Sequence, residues 1–310
     1  MSDKHSALDW GLFAALTVIW ASAYAMTRIA VQTSNPEMGL PVEIILPARL
    51  TIGAVVLHVC LLANGQRMPP FSHRRGWLFM ALMGFFGMTL PFFFITTAQE
   101  TVDSSLAALY TAAAPIFVAI GAHALFADER LTSRRVVGIL VGFVGVGVLF
   151  GPDAIANWGS ASVIAQVLLL IATGGYAIST IVARSAPPLP ALAFTAGYVT
   201  FGALFSWPIL IFADLPPLNP VPASIIAVIG LGVGPSALAA LLYIFLVRRA
   251  GANFLALTGY SIPIVSAGMG WVFFGETQSW NAIAAFALIL GGVWLAQRKS
   301  AQMPKTASES

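Results

Sequence analysis

The chain has 310 residues, of which 58% are hydrophobic and only 9% are charged, and its formal net charge is +3. Soluble domains carry roughly 25% charged residues, so this composition cannot cover the surface of a soluble fold of the same length. It excludes a soluble globular protein and indicates a membrane protein, in which the small positive charge reports topology and not nucleic-acid binding.

Ten hydrophobic segments follow one another along the chain, and short loops rich in turn-forming residues separate them. Most have about 18–25 residues, enough to cross a ~30 Å hydrocarbon core as an α-helix. The sequence therefore predicts an all-α integral membrane protein with ten transmembrane helices. Their predicted bounds are residues 10–31, 43–63, 77–98, 104–126, 135–150, 162–183, 190–212, 223–247, 253–274 and 280–297.

Basic residues fall on one side of the predicted membrane. Of the fifteen Lys and Arg residues, only Arg28 and Arg49 lie well inside spans, and all the others fall in the two termini or in alternate loops, with Arg135 at the junction of its loop and the fifth span. Lys and Arg collect in cytoplasmic loops. We therefore predict that both termini are cytoplasmic, that Asp153 and Asp214 lie in outer loops, and that the protein resides in a bacterial-type inner (plasma) membrane.

The second half of the chain repeats the first. Residues 98–126 align with 246–274 at a constant offset of 148, which places Pro115 on Pro263. Five spans in each half is an odd number, so the second copy is predicted to be inverted. Inverted repeats build secondary transporters whose substrate site lies near the midplane. The predicted domains are a first repeat at 1–151, a second, inverted repeat at 152–298 and a disordered cytoplasmic tail at 299–310.

Short motifs occur in a characteristic order across both halves. They are Trp20-Ala21-Ser22-Ala23-Tyr24 in the first span, Arg49 in the second, Pro115 followed by Asp128-Glu129, and Pro263 followed by Gly275-Glu276. In order and spacing the whole chain resembles the drug/metabolite transporter superfamily, in its EamA-type branch. It departs at Ala21, where that family often has Gly, and at Ala127, where the family has Gly before its Glu. The resemblance implies ten helices in two inverted repeats and export of small metabolites, amino acids among them.

Aromatic side chains away from the cytoplasmic ends, together with one Arg, are the candidate substrate contacts. A Tyr ring can stack on a substrate while its hydroxyl finds a hydrogen-bond partner. The alternative for any single aromatic is a lipid-facing or interfacial position. Tyr24 and Tyr176 stand at equivalent positions of the two halves, which favours both. The candidates are Trp20, Tyr24, Arg49, Phe94, Tyr110, Tyr176, Tyr243 and Tyr260.

Two arginines within spans carry charges that are costly in a bilayer and are often functional. For Arg28, near the outer end of the first span, we favour snorkelling of its head group to the interface. Arg49 lies deeper, in the second span. Two interpretations stay open for it: contact with a substrate anion, since its planar fork suits a carboxylate, or an ion pair with Glu43.

Prolines and glycines inside spans predict local features of the helices. A proline removes a helix hydrogen bond and can kink a span, so Pro91, Pro115, Pro235 and Pro263 are candidate gate or hinge residues; static kinks are the alternative. Glycines in spans five and ten allow close helix approach. They predict either internal packing or a homodimer through these two spans. They are Gly138, Gly142, Gly145, Gly147, Gly291 and Gly292.

No catalytic or cofactor motif is evident, so the sequence predicts no enzyme, no cofactor and no metal site. The expected partners are a small-molecule substrate and the lipid bilayer. The first hypothesis for function is a secondary transporter that exports small metabolites by alternating access. An exporter of cationic drugs is disfavoured because no acid lies deep in a span. A membrane scaffold or lipid-handling protein is the third possibility.

Overall fold

The computed structural model describes residues 6–32, 36–127, 131–151, 159–215, 217–255 and 257–297. The predicted outer-loop residue Asp153, the motif Asp128-Glu129 and the predicted tail at 299–310 lie outside these residues. Ten long helices each coincide with one predicted span. They are α1 (Ala7–Val31), α2 (Val42–Ala63), α3 (Arg74–Ala98), α4 (Ser104–Leu125), α5 (Ser133–Phe150), α6 (Ala161–Ser185), α7 (Ala191–Ile211), α8 (Pro222–Ala250), α9 (Thr258–Phe274) and α10 (Trp280–Gln297).

The helices have the length and composition of membrane spans. By these two criteria α1 to α8 can each cross a membrane, and α10 is a shorter apolar helix. A short helix, Ala252–Leu255, precedes α9, so the predicted ninth span is divided in two. The prediction of an all-α multi-pass membrane protein is confirmed.

Polar caps set where several helices begin. The Ser6 hydroxyl accepts a hydrogen bond from the backbone N–H of Asp9, and the Asp9 carboxylate accepts one from the backbone N–H of Ser6, which forms a capping box at the start of α1. Thr132 and Ser160 cap α5 and α6 in the same way with a single bond each. These caps satisfy backbone N–H groups that a helix end otherwise leaves unpaired.

Glycines bring α5 and α10 into direct backbone contact. A Cβ added to Gly138 would lie 2.6 Å from the carbonyl oxygen of Gly292, and one added to Gly292 would lie 2.5 Å from that of Gly138. Only residues without a side chain permit this approach. The predicted packing role is therefore confirmed for Gly138 and Gly292, whereas a Cβ added to Gly147 or Gly291 would meet no heavy atom within 4 Å. The homodimer remains a prediction, and it would have to use the other faces of α5 and α10.

The helix contacts in one half recur in the other. α1 packs on α8 and α9, and α6 packs on α3 and α4, the helices at the matching places five spans away. A Cβ on Gly84 would meet the carbonyl oxygen of Tyr198 at 2.6 Å, and one on Gly232, 148 residues later, would meet that of Arg49 at 2.9 Å. This packing supports the predicted repeat. The opposite orientation of the two halves in the membrane stays a prediction.

Regular helix is interrupted near the middle of several spans. π-Helical segments occupy Phe85–Thr89 in α3 and Gly232–Leu238 in α8, and an offset of 148 superimposes them in sequence. In α4 a turn at Ala112 and Ala113 separates two helical pieces. π-Bulges and unwound turns are frequent at functional sites, and irregular backbone within a membrane is tolerated where it is buried or lines a cavity.

Candidate functional site

A cavity of about 430 Å³ lies at the centre of the bundle, where the irregular parts of the helices meet. Its volume lies within the range of small-molecule sites, roughly 300–1,000 Å³. Both halves contribute to it, through α1, α2, α3, α4, α6, α8 and α9. The lining comprises Trp20, Ala23, Tyr24, Thr27, Arg49, Gly87, Met88, Phe92, Ile95, Thr111, Ala112, Ala114, Tyr176, Thr180, Pro235, Thr258, Gly259, Ile262 and Pro263.

Arg49 is held in a fixed position at the wall of this cavity. The residue is only 5% exposed. Its Nε donates a hydrogen bond to Oγ of Ser236 at 3.0 Å, and its guanidinium carbon lies 3.7 Å from the centre of the Phe92 ring. Both contacts use one edge and one face of the guanidinium group. No hydrogen bond from the described residues occupies the terminal nitrogens, which form the fork that binds carboxylates.

No carboxylate pairs with Arg49 among the described residues. The alternative of an ion pair with Glu43 is therefore wrong. Arg49 is also the one Lys, Arg, Asp or Glu side chain among the described lining residues. A buried positive charge without a counter-charge is costly in a low-dielectric interior, so the cavity is suited to a ligand that brings a negative group.

Tyr24 of α1, which lines the same cavity as Arg49, is hydrogen-bonded to α4. Its hydroxyl and Oγ1 of Thr111 are hydrogen-bonded at 2.7 Å, and its backbone carbonyl accepts a bond from Nε2 of the buried Gln99 at 2.9 Å. Tyr176, the equivalent residue of the second half, lines the same cavity. The structure thus brings together four of the predicted contacts: Trp20, Tyr24, Arg49 and Tyr176.

The other four predicted contacts lie elsewhere. Tyr110 is fully buried in a core to which both halves contribute, where its hydroxyl donates to Oε1 of Gln166 at 2.5 Å. Phe94 packs against Phe93, and Tyr243 packs against Trp20. Tyr260 packs at the edge of the same core as Tyr110. None of these four lines the cavity in this conformation, and their role as substrate contacts stays a prediction.

The predicted hinge prolines divide in the same way. Pro235 and Pro263 line the cavity, whereas Pro91 and Pro115 do not. Pro91 is buried, and Pro115 begins the second piece of α4. Their role as gate or hinge elements stays a prediction.

Sequence reasoning missed Ser236, Phe92 and Gly259. Ser236 lies next to Pro235 in the π-helical segment of α8, and the repeat offset places Pro235 on Gly87, another lining residue. The offset could have identified this pair. No sequence signal distinguishes Phe92 from the many other phenylalanines, because its role depends on the contact with Arg49 across two helices.

A second polar cluster closes one end of the bundle, near the start of α4. Glu276, in the loop after α9, accepts bonds from the backbone N–H and hydroxyl groups of Ser104 and Ser105 at 2.5–3.0 Å. Arg28 forms ion pairs with both Glu276 and Asp103 at 2.5 Å. The prediction that Arg28 snorkels is therefore wrong, because its head group is bound inside this cluster and only 15% of its side chain is exposed.

Two acids in the loops at this end of the bundle, Glu276 and Glu100, have pKa values that are shifted in opposite directions. Burial raises the pKa of Glu276, but the hydrogen bonds from Ser105 and Ser104 outweigh burial and leave that pKa below its ordinary value. For Glu100, in the loop before α4, burial and the negative charge of Glu43 both raise the pKa. Glu276 is thus held as a carboxylate at neutral pH.

Comparison with known proteins places this geometry in a family. The model of the EamA-like transporter family matches residues 9–151 and 163–297. The uncharacterized inner membrane transporter YedA of Escherichia coli strain K12 is 27% identical over 290 residues, which cover 91% of this chain and 89% of that protein. A probable terminal-alkyne amino-acid exporter of Streptantibioticus cattleyicolor is 27% identical over 308 residues, 98% of each chain.

A solved crystal structure of a protein has the same fold. It superposes with a TM-score of 0.61 at 23% sequence identity, over 91% of this chain and 97% of that chain. At this identity the likeness concerns the fold alone. The family model, in contrast, matches nearly the whole chain in sequence. The chain is therefore a multi-pass membrane protein that belongs to the EamA-like transporter family.

Proposed function

We propose that this protein is a secondary transporter that exports small carboxylate-bearing metabolites, amino acids or related compounds, across the inner membrane by alternating access. One observation carries the proposal. Arg49 is buried at the wall of a central cavity and has no carboxylate partner in the described part of the chain. A substrate carboxylate would supply the missing counter-charge.

The geometry of Arg49 suits an anion with two oxygens that can bind side by side, such as a carboxylate. Ser236 holds Nε and Phe92 covers one face, so the group is oriented before a ligand arrives. Two parallel N–H donors of an Arg match the two oxygens of a carboxylate. An oriented donor pair binds more tightly than a free side chain, because less conformational entropy is lost.

The amino-acid class and the direction of transport have separate support. The relative from Streptantibioticus cattleyicolor, which aligns over 98% of both chains, is named as a probable terminal-alkyne amino-acid exporter. The cavity lining is otherwise largely apolar and aromatic, which suits a small organic side chain. The alternative of cationic drug export is disfavoured, since the described lining residues include no Asp or Glu.

Transport by the purified protein in proteoliposomes tests the proposal. Counterflow of labelled amino acids should occur with the wild type, fall strongly in Arg49→Lys, which keeps the charge but loses the fork, and disappear in Arg49→Gln. Arg75→Gln is the matched control, because Arg75 lies at the start of α3 over Phe79 and away from the cavity. Full transport by Arg49→Gln would refute the proposed role of Arg49. Uptake of organic cations, but of no carboxylate, would favour the cationic alternative.

A further inference from the structure

Prolines at the cavity leave backbone carbonyl groups without their helical donors. A proline has no N–H group, so Pro263 cannot donate to the carbonyl oxygen of Gly259, and Pro115 cannot donate to that of Thr111. Gly259 and Thr111 both line the cavity, and they are separated by the repeat offset of 148 residues. The two halves therefore have equivalent freed carbonyl groups on residues that line one space.

Ala112 adds a third carbonyl to this set. In a regular helix its oxygen would accept a bond from the N–H of Ile116, but that N–H donates to Ala113 at 2.9 Å. The tight turn between the two pieces of α4 thus removes the helical donor of Ala112 as well. Ala112 lines the cavity and is only 5% exposed, so little solvent replaces that donor.

Gly259 presents its backbone to the cavity without a covering side chain. Because it is a glycine, every atom it contributes to the cavity wall belongs to the main chain. A Cβ added there would find no heavy atom within 4 Å. The main chain of α9 is therefore uncovered at Gly259.

Carbonyl groups without donors are costly in an apolar interior, and unwound carbonyls in membrane transporters coordinate cations. We propose that the carbonyl oxygens of Thr111, Ala112 and Gly259 form a subsite for the α-ammonium group of an amino acid whose carboxylate is bound by Arg49. This inference rests on the proposed function, since it takes Arg49 as the carboxylate contact.

The two subsites together define a specificity. A zwitterionic amino acid satisfies both the cation at Arg49 and the neutral carbonyl acceptors, and its side chain meets apolar residues such as Met88, Phe92 and Ile95. An acid that lacks the amino group leaves the carbonyl oxygens unpaired. An amine that lacks the carboxylate places a second positive charge beside Arg49. The cavity thus selects amino acids over either analogue.

Ligand-induced thermal stabilisation of the purified full chain measures this selection, because a ligand that binds the folded state raises its melting temperature. The probes are two matched triplets: L-leucine with isocaproate and isopentylamine, and L-phenylalanine with hydrocinnamate and phenethylamine. In each triplet the second compound lacks the amino group and the third lacks the carboxylate. In at least one triplet the wild type should bind the amino acid about tenfold or more tightly than the des-amino acid, the difference expected for hydrogen bonds to a charged group.

Two variants remove the ammonium subsite without touching Arg49. Pro263→Ala supplies an N–H that can pair with the carbonyl of Gly259, and Gly259→Ala puts a methyl group into the open space beside it. Each should weaken amino-acid binding about tenfold and leave binding of the des-amino acid unchanged. Pro208→Ala is the control, since Pro208 lies inside α7 and does not line the cavity. Melting temperatures without ligand show whether each variant is folded.

The outcomes separate this inference from the proposed function. Equal binding of amino acid and des-amino acid by the wild type, or an unchanged ratio in both variants, would overturn the ammonium subsite and leave the carboxylate site intact. Failure of all four carboxylate probes to bind, or unchanged binding of the des-amino acids by Arg49→Gln, would overturn the proposed function itself.

Discussion

Each end of the helical bundle contains an ion pair, and the two pairs differ in how much of their side chains is exposed to solvent. At one end, which we call the Glu276 end, the Glu276 side chain is 1% exposed, accepts bonds from the start of α4 and pairs with Arg28 of α1. At the opposite end of α1, which we call the Asp9 end, the Asp9 side chain is 9% exposed and pairs with Arg249 of α8, whose side chain is 41% exposed. Buried charge-assisted bonds stabilise a contact far more than exposed pairs do.

This difference is not expected from the repeat alone. The residues of the second half that correspond to Ser104 and Ser105 are Ala252 and Asn253, which have no hydroxyl group. The residue that corresponds to Glu276 is Asp128, outside the described part of the chain. Equivalent packing in the two halves therefore coexists with different chemistry at the two ends. In the proposed transport cycle, opening the Glu276 end would break more strong bonds than opening the Asp9 end.

The largest effect is expected from labelling that assigns each end to a side of the membrane. In a Cys60→Ala background, Thr101→Cys lies exposed at the Glu276 end and Ser72→Cys lies exposed at the Asp9 end. By the predicted topology, an impermeant thiol reagent added to intact cells should label the first and not the second. The reverse pattern would place both termini outside and invert the assignment.

Removing the charge of Glu276 should have the next largest effect. Glu276→Gln weakens the bonds from Ser104 and Ser105 and leaves Arg28 with Asp103 alone, so we expect a loss of about 2–3 kcal/mol in the free energy of unfolding. Thermal or denaturant unfolding in detergent measures it. A Cβ on Gly270 would lie 2.2 Å from Oε2 of Glu276, so the carboxylate fills its site closely. An unchanged stability would show that the cluster does not hold this end together.

The cluster around Glu276 shows how far the sequence could predict this structure. Hydropathy and turn residues located all ten helices, because helix length and polarity follow directly from the bilayer. The prediction that Arg28 snorkels is wrong because its partner Glu276 is 248 residues away in the sequence, and the local sequence alone does not reveal that partner. Nothing in the local sequence distinguishes Tyr110 from Tyr24. Only the tertiary contact of Tyr110 with Gln166 shows that Tyr110 belongs to the core and not to the cavity wall. The repeat offset predicts cavity residues better than the local sequence does, because residues that it pairs occupy equivalent positions in the two halves.

A smaller effect should appear as a dependence of stability on pH. The pKa of Glu276 is lowered from its ordinary value of 4.5 in the folded protein. Its contribution to stability is therefore complete above about pH 4.5 and is lost as the pH falls through the folded pKa. Glu100 has the opposite sign, because a raised pKa makes its ionisation unfavourable to folding. The melting temperature of the wild type should fall more steeply below pH 4.5 than that of Glu276→Gln. Parallel curves for the two proteins would exclude Glu276 as a source of the acid sensitivity.

The smallest effect is expected at the Asp9 end. Asp9→Asn removes the ion pair with Arg249, but Asn keeps an oxygen that can accept a hydrogen bond from Ser6, so the cap of α1 is retained. Exposed pairs contribute little and are screened by salt. The melting temperature should therefore change much less than in Glu276→Gln, and the small change should shrink further at high ionic strength, whereas the effect of Glu276→Gln should persist because both Glu276 and its partner Arg28 are largely shielded from solvent. Equal losses in the two variants, with equal salt dependence, would remove the contrast between the ends and with it the expectation that they open at different energetic cost.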